Sequence, residues 1–198
     1  MKKIPTLFVR EFENHHVIKV TDQVTPGFEW VLDGLGKATI KYDGACIAII
    51  DGVLYKRYDA KKGKTPPVGA IPCGEPDPVT GHWPHWVKVD FDDPADKWFV
   101  AAYENAVDQS DGTYEVLGPH FQGNPYHLGE DVLERHGADP VVIQDREDEP
   151  GRSFESIKRW LETHGEEGLV FWKDGEPQCK IKRSDFGLPW PIKREEDT

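Results

Sequence analysis

The sequence predicts an α+β fold with mainly antiparallel sheets. Three observations predict it: short apolar alternations joined across Asp-Gly turns, two stretches with helical spacing, and no regular strand–helix alternation of the kind a parallel sheet needs. The 198 residues are expected to form one domain, 1–198, with little room for a second of full size. No apolar run is long enough to cross a bilayer, and no apolar signal core follows Met1-Lys2-Lys3-Ile4-Pro5. A cytoplasmic protein, without a membrane partner, is the expectation.

Clear alternation begins at Ala38 and runs to Tyr58, with Ile40, Cys46, Ile47, Ile49, Ile50, Val53 and Tyr55 marking strands broken at Asp43-Gly44 and Asp51-Gly52. Asp-Gly between apolar runs signals a hairpin, because glycine takes the positive φ of a tight primed turn. Lys41 therefore sits at a strand end. Residues Gly63 to Pro84, rich in proline and glycine, read as one long loop with a candidate role in covering a site. Asp93-Pro94 opens a helix carrying Trp98, Phe99, Ala102 and Ala106 down to Val107. Thr113–Leu117 and Val141–Ile143 read as short strands. Ser153 caps a helix with the apolar stripe Phe154, Ile157, Trp160 and Leu161, and Gly165 is expected to close it. A last hairpin runs from Gly168 to Trp172, turns at Asp174-Gly175 and returns from Gln178 to Lys182; the charged tail 193–198 is expected to fray.

The net charge of −12 argues against a nucleic-acid partner, but its distribution does not. Lys56, Arg57, Lys61, Lys62 and Lys64 lie close together against the single acid Asp59, and Lys180, Lys182 and Arg183 form a second cluster. Both also fit solvated surface patches. Cys46, Cys73 and Cys179, odd in number and widely spaced, read as reduced thiols. Cys73, His82 and His85 are good zinc ligands in kind but lack a fourth at recognisable spacing, so loop packing is expected of them. His15, His16 and His164 have no sequence-paired nucleophile and read as surface or cap residues.

Lys41-Tyr42-Asp43-Gly44 is followed in order by Arg57, by Glu115 in Tyr-Glu-Val-Leu-Gly, by Glu167-Gly168-Leu169-Val170 and by Lys180-Ile181-Lys182. A Lys-x-Asp-Gly string alone fits an ordinary surface turn. The ordered set resembles the covalent nucleotidyltransferase superfamily of polynucleotide ligases and capping enzymes. Ile71-Pro72-Cys73, Pro76 to Pro84 and Gly118-Pro119-His120-Phe121-Gln122-Gly123-Asn124-Pro125 are similar to a small RNA ligase family that includes an animal 5′-to-3′ RNA ligase. The resemblance runs from about Ala38 to Trp190.

The resemblance implies an adenylation domain and an ATP-dependent RNA ligase joining 5′-phosphate and 3′-hydroxyl ends. Lys41 becomes the nucleophile that carries AMP, with Asp43 orienting it. Arg57, Lys180 and Lys182 would meet the phosphates, Glu115 the ribose hydroxyls, Glu167 and Asp43 the water of a Mg²⁺ or Mn²⁺ ion, and Ile40 the nucleotide beside Lys41. Phe121 is a candidate to stack on adenine, though a core role fits it better. An obligate protein partner is not expected. The residues support this chemistry, because an amine attacks phosphorus only when neutral, and cations near Lys41 favour that form whereas Asp43 opposes it.

Two other classes remain. A capping-type guanylyltransferase or a DNA ligase shares the nucleophile motif, but such enzymes usually add an oligonucleotide-binding barrel, and few residues follow Lys182. An inactive nucleic-acid-binding module would not require the complete set of lysines and glutamates.

Overall fold

The computed structural model describes residues 3–13, 16–78, 80–138, 143, 147 and 149–192, without the side chains of His16 and Val17. In chain order its elements are β1 (Phe8–Glu13), β2 (His16–Val24), α1 (Glu29–Leu32), β3 (Lys37–Lys41), β4 (Ala45–Ile50), β5 (Val53–Ala60), β6 (Ile71–Pro72), β7 (Trp83–Lys88), α2 (Lys97–Glu104), β8 (Gly112–Leu117), β9 (Val132–Arg135), α3 (Phe154–Thr163), β10 (Gly168–Lys173) and β11 (Glu176–Lys182), followed by a 3₁₀ turn, Arg183–Phe186. The fold is α+β, and every pairing between named strands is antiparallel. The described residues form two compact units, Lys3 with Asp43–His136 and the residues from Ile4 to Tyr42 with those from Gly137 onward.

The discontinuous unit contains the hairpin β1-β2 and a sheet of order β11-β10-β3. Period-two alternation sends Ala38, Ile40, Leu169, Phe171, Cys179 and Ile181 to one face, where they pack with Ile157, Trp160 and Leu161 of α3 and with Leu7 and Phe8. Each fully buried Leu, Ile or Phe contributes about 1.5–3 kcal/mol relative to exposure. Ser153 starts α3 by accepting the Ser156 N–H at 3.2 Å. His164, with extended backbone, takes the C-cap, and Gly165 is not left-handed, so the expected glycine cap is corrected. Arg183 supplies what a glycine cap would have: its guanidinium donates to the Leu161 carbonyl and, at 2.9 Å, to that of His164. The strand expected at Val141–Ile143 lies outside the described residues except Ile143, whose N–H donates to the Ala38 carbonyl at 3.1 Å.

The other unit contains a sheet of order β6-β7-β5-β4-β8-β9. Ile47, Ile49, Leu54, Tyr114 and Val116 cover one face and pack with Ala102, Phe99, Val100 and Tyr103 of α2. Asp51 and Gly52 both take positive φ (52° and 72°), as the β4–β5 turn requires. The helix expected from Asp93 starts only at Lys97; a turn precedes it, in which the Asp96 N–H donates to the Asp93 carbonyl at 2.9 Å, and the Asp96 carboxylate pairs with Lys56 and accepts the Asp90 N–H at 3.0 Å instead of capping the helix. The stretch expected as a loop from Gly63 to Pro84 contains the two-residue strand β6 and the start of β7.

Candidate active site

In the discontinuous unit the register places Lys41, Gly168 and Lys182 in one row across β3, β10 and β11. Directly opposed residues share a face, so Lys41 and Lys182 point the same way, and Lys180, two residues earlier, joins them. Their face is opposite the core. Gly168 lies between them with no side chain; a Cβ there would run into the Ile181 carbonyl and stand 3.0 Å from the Lys182 Cα. The glycine thus serves both close strand packing and the space between two lysines whose backbones are about 10 Å apart. Ile40 sends its side chain into the core, so its main chain is what adjoins Lys41.

Glu167 precedes that glycine and is held by the bond from the Arg183 N–H to its carbonyl, 2.9 Å. Its carboxylate, only 9% exposed, pairs with the Lys41 amine on one oxygen and lies 3.6 Å from the Lys182 amine on the other. Lys41 also donates to the Tyr42 carbonyl at 3.3 Å. Burial, then the neighbouring charges of Lys41 and Lys182, pushes Lys180 down from 10.5 to about 8, against the pull of Glu167. Arg10 of β1 adds to the positive field there and donates to Asp185 at 2.8 and 3.1 Å, while Asp185 accepts the Lys182 N–H at 2.9 Å. Arg10 and Asp185 were not legible as site neighbours, being 175 residues apart.

In the other unit, Glu115 of β8 stands opposite Cys46 of β4 and Glu134 of β9. One oxygen of Glu115 accepts the Gly44 N–H at 3.0 Å and the other lies 3.0 Å from His136 Nε2. Gly44 is glycine for a reason in its own unit: a Cβ would collide with the Val116 carbonyl and stand 2.6 Å from Leu117. The Asp43 N–H donates to the Tyr126 hydroxyl at 2.7 Å. Arg57, on the strand beside β4, pairs with Asp59 at 2.9 Å. Its charge and that of Glu115 both act on Cys46, whose thiol burial drives up to about 12, an inert group. His136 and Tyr126 were missed in the sequence, where neither stands in a recognisable motif.

Several residues with readings from sequence turn out to be structural. Phe121 is buried in the core of its unit, edge-on to Phe99 at 5.1 Å, and cannot stack on a base. Arg183 is buried and spent on carbonyls, and Lys56 is paired with buried Asp96, so each basic cluster loses a member as a phosphate contact. Lys61, Lys62 and Lys64 remain exposed. His85 is buried with Nδ1 on the Trp83 carbonyl, 2.8 Å, and no group of three or more metal-ligating side chains occurs among the described residues. His164 stacks on Trp160.

No protein-family model matches the chain. The sequence is 29% identical over 139 residues to RNA ligase 1 of Danio rerio, a stretch that spans 57% of this chain and 43% of that protein. The relationship to an RNA ligase is distant and covers less than half of that protein's length.

Proposed function

We propose that this protein is an ATP-dependent RNA ligase of the covalent nucleotidyltransferase type, working through AMP carried on Lys41. The observation that carries the proposal is the row Lys41–Gly168–Lys182 with Lys180 beside it, cations on one sheet face around the Glu167 carboxylate. The similarity to RNA ligase 1 of Danio rerio points to the same class of substrate.

The residues suit a nucleotide polyphosphate, since three amines face one way and Gly168, between Lys41 and Lys182 in the row, has no side chain to stand among them. Mg²⁺ or Mn²⁺ needs one or two carboxylates beside the oxygens of substrate and water, and the resemblance gives that role to Glu167 and Asp43. When bound, the ion supplies charge to the phosphate oxygens.

In the first step the Lys41 ammonium gives one proton to solvent and parts from Glu167, its amine forms the P–N bond to the α-phosphorus of ATP and loses a second proton to solvent, and pyrophosphate departs with the electrons of the broken P–O bond. Lys180 and Lys182 stabilise the charge that builds on the phosphate oxygens, with Arg57 a further cation of the set. Burial and neighbouring cations depress Lys180, and the arrival of phosphate charge strengthens its ammonium form. Glu115, with its orientation fixed by two bonds, holds the ribose hydroxyls. A 5′-phosphate oxygen of the RNA next takes the AMP, breaking the P–N bond and returning the amine. A 3′-hydroxyl then attacks that 5′ phosphorus and AMP leaves. A 2′-hydroxyl at the attacking end separates RNA from DNA, whereas Lys61, Lys62 and Lys64 would give salt-dependent affinity without discrimination.

The test incubates the protein with α-labelled ATP or GTP and a divalent cation, then looks for label on denatured protein. ATP label that disappears in both Lys41→Ala and Lys41→Arg is the expected result, because a guanidinium stays protonated. Lys41→Ala should still join a pre-adenylylated 5′ end to a 3′-hydroxyl. Label from GTP alone would indicate capping chemistry, and label that survives at mutated Lys41 would end the proposal.

A further inference from the structure

Glu115 is a partly buried acid held at both of its oxygens. Its β9 neighbour in register is Glu134, a second carboxylate on the same face, and like charges directly opposed on adjacent strands repel. Burial also pushes Glu134 up, a sign of scarce water on that stretch of sheet. An acid placed there needs donors to hold it in one rotamer. Gly44 provides one through its backbone. The other is His136, whose ring is fixed at both nitrogens: Nε2 lies 3.0 Å from Glu115 and Nδ1 lies 3.0 Å from the Thr113 hydroxyl. Its own N–H donates to the Thr113 carbonyl at 3.0 Å, so main chain and side chain anchor it alike.

We infer that His136 is a positioning residue, orienting Glu115 to read the sugar of the bound nucleotide. The inference rests on the adenylylation reading above. With Nε2–H donated to Glu115, Nδ1 is left to the Thr113 hydroxyl, so each ring nitrogen has its own partner. A carboxylate can accept about four hydrogen bonds. Gly44 and His136 use one on each oxygen, leaving capacity for hydroxyl donors from a ligand while the carboxylate itself cannot turn. A purely structural role is the competing account, in which the histidine pins the end of β9 to β8 through Thr113.

Two substitutions separate them. Gln places its amide nitrogen near the reach of Nε2 and can still donate to Glu115. Asn reaches only as far as Nδ1 and can keep only Thr113. Initial rates of protein labelling with ATP, 2′-deoxy-ATP and 3′-deoxy-ATP, alongside thermal unfolding, are measured for wild type, His136→Gln and His136→Asn. Loss of one hydrogen bond to a charged acceptor predicts that His136→Asn raises the KM for ATP roughly ten- to hundredfold, leaves kcat within about threefold, and collapses the preference for ATP over the deoxy nucleotides. His136→Gln should keep both KM and preference. A folded Asn variant with wild-type KM and preference, or a folded Gln variant that loses as much as Asn, overturns the positioning role alone. Wild-type protein that takes no label brings down the adenylylation reading, and this inference with it.

Discussion

Replacing Lys180 by Met should make the protein more stable and less active at once. The amine is held down from 10.5 to about 8 by burial and by Lys41 and Lys182, so carrying its proton costs the folded state free energy. At about 1.4 kcal/mol per pH unit that cost is about 3 kcal/mol, an upper value because solvent relaxes part of it. The sign follows from proton counting: between 8 and 10.5 the unfolded chain binds the proton and the folded one releases it, so wild-type stability rises with pH across this window. Below the window the full penalty is present, and above it none remains. Urea denaturation of both proteins from neutral pH to beyond 10.5 isolates this contribution as the pH-dependent part of their difference. The difference should favour Lys180→Met most at neutral pH and narrow toward 10.5, while adenylylation falls by about two orders of magnitude. A difference that stays flat from neutral pH to 10.5 would refute the electrostatic account of the lysine cluster.

Gly168→Ala should cost about 1–3 kcal/mol through its collision with the Ile181 carbonyl, and should also reduce labelling by narrowing the gap between Lys41 and Lys182; denaturant midpoints and label yield measure the two effects. Lys56→Met strands the buried Asp96 carboxylate and should destabilise by about 3 kcal/mol. Its RNA affinity should show the wild-type salt slope, and a reduced slope would return Lys56 to the phosphate contacts. Ser153→Ala removes the cap of α3 at a cost of about 1 kcal/mol, readable as a lower melting temperature with adenylylation unchanged per folded molecule.

Local signals explain what could be read in advance. Asp51-Gly52 and Asp174-Gly175 announced two hairpins because turn chemistry is written in adjacent residues, and Ser153 with its apolar stripe announced α3 in the same way. Strands β1 and β2 have no glycine between them in the sequence, and β7 carries Pro84, which normally argues against a strand; here it pairs with Asp59 beside the two-residue strand β6. At the candidate site, alternation on β11 put Lys180 and Lys182 on one face. It could not show that the next residue, Arg183, turns inward to finish α3. Nor could it show Glu167 reaching Lys41 across 126 residues, or His136 reaching Glu115 across 21, because these pairs are chosen by packing.

The sheet β11-β10-β3 is assembled from distant parts of the chain, and this fixes an order of events during synthesis. Strand β3 is made before its ladder partner, which runs from Gly168 to Lys173, so the 126 residues from Lys41 to Glu167 must follow before Lys41 acquires its neighbours. The continuous unit Asp43–His136 can close its own sheet in the meantime, since all its strands are already present. Closing a loop of that length costs little more than closing a shorter one at equilibrium, but it slows the search. A nascent or truncated chain ending before Gly168 would therefore present Lys41 on an unpaired strand edge, without Glu167's Gly168 neighbour or either closing lysine. The lysine would exist long before its chemistry could.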